Sequence, residues 1–205
     1  MRSGFRTLAI PLLGLALGAC SQSGGQPDPA DPPPMVMMGD AGLRSLQAKT
    51  GQDFDVAYMS QLIEHHEGAI EVAGEAQKRA RRQEVKDAAR AVITSQAYEI
   101  AELTGRLRDW YALNPDAKER GLVVKDSALS IQYAKAAIQR SDPDRAFLER
   151  IIPHHRRAVE MSQLALQEAT RQELRTFAQE VIDMQTREID QYRAWLKSWY
   201  GADAP

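Results

Sequence analysis

Two pairs of adjacent histidines, His65-His66 and His154-His155, hold all four histidines of the chain. Imidazole moves protons near neutral pH and, in its neutral form, binds transition metals. Around the pairs stand Met59, Met161 and Met184, whose thioethers are soft donors. Met161 lies seven residues after His154, on the same side of a helix. Carboxylates and amides accompany each pair: Asp55, Gln96 and Glu99 with the first, Asp144, Gln185 and Glu188 with the second. Two chemistries fit this set. The groups satisfy one another as a polar layer of His–Glu and Asp–Gln hydrogen bonds, or they hold a metal ion. Adjacent residues of a helix point about 100° apart, so one histidine of each pair faces inward while the other flanks it.

Other chemistries are excluded. Di-iron bundles need Glu-x-x-His, but Leu62 and Ile63 precede the first pair by three residues, and Ile151 and Ile152 the second. No Gly-x-Ser-x-Gly occurs, and the single cysteine, Cys20, is expected to carry a lipid anchor rather than to act as a nucleophile. These absences predict a protein that is not an enzyme. A net charge of −2 and the lack of a phosphate-binding glycine motif argue against a nucleic-acid partner.

The elements that position the histidines are duplicated. Each residue from Asp55 to Tyr111 aligns without a gap with the residue 89 positions later, Asp144 to Tyr200, and 21 of the 57 positions are identical. The matches include both His pairs, Arg82-Gln83-Glu84 with Arg171-Gln172-Glu173, Gln96 with Gln185, Glu99-Ile100 with Glu188-Ile189, and Trp110-Tyr111 with Trp199-Tyr200. A fixed-period match of this kind marks an internal repeat, here 53–111 and 142–200. Within each copy, apolar or small residues recur at helical spacing (59, 62, 69, 73, then 85, 89, 92, 103, 107). Breaks near 79–83 and 169–171 make each copy a helical hairpin of antiparallel neighbours. Two hairpins predict an all-α, four-helix bundle over 41–205. A short crossover helix at 127–139 joins them, and Asp142 or Asp144 is placed to cap the next helix.

The core stripe of the first copy then reads Asp55, Met59, Leu62, His66, Ala69, Ala73 on one helix and Val85, Ala89, Val92, Gln96, Glu99, Leu103 on the other. An ordinary bundle would be apolar throughout. Burying a carboxylate or imidazole without partners costs several kcal/mol, so the interruptions require either mutual partners or a ligand. Pro153, which replaces Glu64 in the second copy, predicts a kink just before His154.

The chain ends carry separate signals. Arg2 and Arg6 precede an apolar run, Leu8–Ala19, too short to span a bilayer. Leu17-Gly18-Ala19-Cys20 matches the bacterial lipobox pattern. Residues 1–19 are therefore expected to be a lipoprotein signal peptide and Cys20 the lipidated residue, tethering the protein to a membrane of the bacterial cell envelope. Residues 20–40 carry Pro27, Pro29, Pro32, Pro33 and Pro34 and read as a disordered spacer. It ends in Met35, Met37 and Met38, thioethers that suit Cu(I).

Taken together, Asp55-x3-Met59-x5-His65-His66-x2-Ala69, then Gln96-x2-Glu99-Ile100 and Trp110, resemble the family called domain of unknown function 305 (DUF305). The second copy, Ile152-Pro153-His154-His155-x2-Ala158-x2-Met161 with Gln185-x2-Glu188-Ile189, resembles it more closely still. The likeness covers residues from about 53 to 200. It implies a ferritin-like four-helix bundle in secreted or envelope-anchored bacterial proteins, some of them copper-binding. By the same resemblance the candidate copper ligands are His65, His66, Met59, His154, His155, Met161 and Met184. The copies depart from each other: Met59 becomes Leu148, while Met161 and Met184 correspond to Val72 and Ser95. The implied function is a copper-binding envelope lipoprotein that buffers, resists or transfers metal. The alternative is a structural or interaction bundle whose buried polar layer fixes helix register.

Overall fold

Strong helix formers fill the chain between the breaks, and among the described residues every regular element is a helix. The computed structural model describes residues 39–204. The leader, Cys20 and Met35, Met37 and Met38 lie outside the described residues. The helices are α1 (Ala41–Gln47), α2 (Gly51–Arg79), α3 (Gln83–Tyr111), α4 (Ala117–Arg140), α5 (Pro143–Glu168) and α6 (Gln172–Tyr200). The hairpins α2–α3 and α5–α6 pack through α2 against α5, giving the expected four-helix bundle. None of the described helices is long and apolar enough to cross a membrane.

Two elements differ from expectation. The crossover α4 is a full 24-residue helix, starting ten residues before the expected 127. Its start is set by Asp116, whose carboxylate accepts from the Glu119 N–H at 2.9 Å. It packs along both α2 and α5. The short α1 has few apolar residues and is held by side chains. Asp126 accepts from the Gly42 N–H at 2.8 Å. The buried Glu119 accepts from Ser45 at 2.9 Å and from Gln61 at 2.7 Å. Lys49 lies 3.1 Å from the same carboxylate.

The hairpin turns are tied across the pseudo-symmetry. Asp55, in the first turns of α2, accepts from the Thr170 N–H at 3.0 Å, the Thr170 hydroxyl, and the Tyr111 hydroxyl at 2.6 Å. Its counterpart Asp144 accepts from the Arg81 and Arg82 N–H groups at 2.8 and 3.2 Å. Each copy thus caps the helix that follows the other copy's turn. Asp142, not Asp144, caps α5. Asp55 and Asp144 therefore do not join a polar layer with Gln96 and Gln185. Eleven residues of helix separate Asp55 from His66, about 16 Å, which places the carboxylates at the bundle ends. The helix α5 is continuous through Pro153.

The apolar core falls into two parts. One gathers the N-terminal halves of α3 and α5 with the C-terminal halves of α2 and α6, around Val85, Phe147, Leu148, Ile151 and Leu196. The other gathers the opposite halves, around Phe54, Met59, Leu62, Leu107, Phe177 and Val181. The four histidines stand between them.

Candidate metal centre

Because α2 and α5 run antiparallel at the bundle's centre, equivalent residues of the two copies meet near the pseudo-two-fold axis. His65 and His154 meet there, with ring centroids 3.8 Å apart. His66 lies beside His65, with ring centroids 6.2 Å apart, and turns toward α3. There the Glu99 carboxylate is 2.7 Å from His66 Nε2. His155 turns toward α6, where Glu188 is 3.0 Å from His155 Nε2. The arrangement is a transverse row of imidazoles with a carboxylate at each end. Ile131 of α4 covers it: a Cβ at Gly68 would fall 2.5 Å from the tip of Ile131 and 3.5 Å from His154 Nε2, so Gly68 lets the Ile131 side chain lie close over the row.

All four imidazoles are buried, His66 and His155 completely. None of their eight ring nitrogens has a hydrogen-bond partner, the carboxylate contacts at the ends of the row not having hydrogen-bond geometry. Gln96 Oε1 and both side-chain polar atoms of Gln185 are orphaned beside them. Native proteins leave few buried polar atoms unpartnered, so a cluster this dense marks a place where something else supplies the partner. Burial pushes the pKa of His154 from 6.5 down to about 3, aided by the charges of His155 and His66. Burial likewise holds His65 well below its usual range, with His154 as the next cause. Both rings are thus neutral at pH 7, the form that offers a lone pair to a metal.

The candidate ligands separate by environment. Met161 is buried and lines a cavity of about 10 Å³ together with His65, Gln61 and Arg157. That is space for roughly one water-sized body. Met59 is packed in the apolar core beside Leu62. Met184 stands half-buried in an outer groove between α3 and α6, not in the core. Arg157, whose charge beside the second pair would oppose a cation, is engaged by Asp40 at 2.8 Å and Glu160 at 2.9 Å. Among the described residues, no three His, Cys, Asp or Glu side chains converge closely enough to hold a metal ion by themselves. Here the imidazole pair would be completed by a thioether.

Fold and site together define a duplicated helical bundle with a buried histidine layer. The sequence model described as "Domain of unknown function (DUF305)" matches residues 14–107 and 144–205, and the chain belongs to that family. No protein of curated function matches it. Among solved structures, CopM in its Cu(II)-bound form is 27% identical, with a TM-score of 0.61 over 71% of this chain and 97% of that one. The Cu(I)-bound form of CopM is 27% identical, with a TM-score of 0.58 over 72% of this chain and 98% of that one. A DUF305 protein from Streptomyces coelicolor shares the fold at 19% identity, with a TM-score of 0.62 over 74% of this chain and 96% of that one.

Proposed function

We propose that this protein is a non-enzymatic copper-binding protein of the bacterial envelope, held to a membrane by lipid on Cys20 and acting in copper buffering, resistance or transfer. The observation that carries the copper reading is the row of four buried imidazoles whose ring nitrogens all lack hydrogen-bond partners. Support comes from CopM, a relative of similar fold that has been seen with Cu(I) and with Cu(II). His65 and His154 are the proposed imidazole ligands, with Met161 the proposed thioether. His66 and His155 complete the layer around them. Imidazole suits either oxidation state of copper and thioether favours Cu(I), so the set is suited to an ion that changes between them.

The test is a Cu(I) competition titration of the full chain in detergent against a chromophoric chelator. Variants H65A, H154A and M161L run beside the wild type, with circular dichroism confirming the helices. Copper binding in the wild type that weakens at least tenfold in H65A and H154A is the expected result. Binding unchanged in all three variants would remove the site from the bundle core. No binding by the wild type would end the copper reading and leave the polar-layer module in its place.

A further inference from the structure

The copper reading leaves Met184 unused and does not say how an ion reaches a layer with almost no exposed surface. We propose that the groove between α3 and α6 is the inlet: Glu84 draws the cation to the surface, Met184 captures it, and Glu188, one helical turn along α6, passes it to His155. The inference rests on the copper function above and adds an entry path to it.

The groove has a volume of about 470 Å³, and its walls include Glu84, Ala88, Met184, Glu188, Tyr192 and Trp195. Its inner end is Glu188, whose side chain is 20% exposed and lies 3.0 Å from Nε2 of His155. His155 is fully buried and its ring nitrogens have no hydrogen-bond partner. One carboxylate therefore touches both the groove and the row of imidazoles. Asp87 also lines the groove but is engaged by Arg90 and Gln83, each at 2.9 Å. Arg187 adds one positive charge to the wall. Glu84, which makes no ion pair among the described residues, is left as the free outer carboxylate. Carboxylates lining a cleft focus its field and raise the local concentration of cations. The thioether of Met184, one helical turn from Glu188, adds preference for a soft ion.

The other copy shows what closes such a groove. Residues 89 positions away replace Met184 by Ser95, Ala88 by Phe177 and Trp195 by Arg106. Phe177 is buried, and Arg106 lies over its ring at 4.9 Å and over Trp110 at 5.3 Å. Arg106 also donates to the Glu173 carbonyl at 3.3 Å and pairs with Glu102. A phenyl ring and a guanidinium thus occupy the equivalent space, and a fixed positive charge guards it. Glu99, the counterpart of Glu188, has a side chain only 8% exposed. The two equivalent ends of the α3–α6 seam are therefore unlike: Phe177 and Arg106 fill one, and Ala88 and Trp195 line the groove at the other.

The experiment separates rate from affinity. The full chain in detergent is mixed anaerobically in stopped flow with Cu(I) carried in acetonitrile, and tryptophan emission, to which Trp195 in the groove wall contributes, reports arrival. Competition titration gives each affinity in parallel. The double variant E84Q/M184L should bind about tenfold more slowly with its affinity for copper unchanged, and E188Q should also slow uptake. E173Q, which removes the counterpart of Glu84 at the closed end, should match the wild type. Unchanged rates in E84Q/M184L, an equal slowing in E173Q, or lost affinity at an unchanged association rate would each overturn the inlet while copper binding stands. A wild type that binds no copper would instead overturn the function on which the inlet rests.

Discussion

Replacing His65 by leucine should make the metal-free bundle more stable, against the usual outcome of a core substitution. Both ring nitrogens of His65 are buried without partners, and burial keeps the ring neutral. Each unpartnered buried polar atom costs about 1–3 kcal/mol, and removing such a group in favour of an apolar one of similar shape recovers that cost. Two nitrogens make the gross gain about 2–6 kcal/mol. The imperfect shape match subtracts up to about 1.5 kcal/mol. The lost ring contact with His154, 3.8 Å between centroids, subtracts roughly 0.5–1.5 kcal/mol more. The mid-values of these ranges leave a net gain of about 2 kcal/mol. Urea unfolding of the metal-free full chain at pH 7, followed by circular dichroism, should show a midpoint raised by roughly 0.5–1.5 M at an unchanged slope. The same variant should lose copper affinity. A destabilisation of about 2 kcal/mol or more, as in an ordinary cavity mutant, would refute the reasoning, because it would mean that the nitrogens already have partners in the folded protein.

The pH dependence has a fixed sign. The His154 pKa is depressed in the folded state to about 3 from 6.5, so below about pH 6.5 the unfolded chain takes up a proton that the native chain refuses. Stability is full above that pH and declines as pH falls toward 3. At pH 4.5 His154 alone should cost about 3 kcal/mol, and His65 acts in the same direction. Urea midpoints at pH 7.5 and 4.5 measure the decline, and H154L should flatten it. Asp144→Ala strips the Arg81 and Arg82 N–H groups of their acceptor and should destabilise by about 2–4 kcal/mol; a thermal midpoint within error of wild type would contradict the cross-copy capping. Ala112 ends α3 at a φ of 55°, where its counterpart Gly201 ends α6 at 62°. A112G should therefore raise the thermal midpoint by an amount equivalent to about 0.5–1 kcal/mol, and a drop would show that the left-handed cap carries no strain.

Helical periodicity and the 89-residue repeat were sufficient to read two hairpins, their breaks and the bundle from the chain, because amphipathic spacing constrains which face of each helix is buried. The repeat also singled out the histidines, Gln96, Gln185 and the two glutamates, since a polar residue kept twice on an apolar stripe is visible without a structure. The start of α4 was read ten residues late, because its only local signal is the short-range cap in which Asp116 accepts from the Glu119 N–H. The pairing of those residues was not legible. Asp55 sits on the same stripe as His66, yet its partners are Thr170 and Tyr111 at the bundle's end, because one helix stripe runs the full length of the fold and only packing assigns depth along it. Met161 and Met184 lie on different helices. Packing alone sets the first against a cavity beside His65 and turns the second into an outer groove. The meeting of His65 with His154 was beyond the sequence for the same reason: contact across a pseudo-two-fold axis depends on which helices become central, and that is decided when α2 packs against α5, not by the pattern of either helix alone.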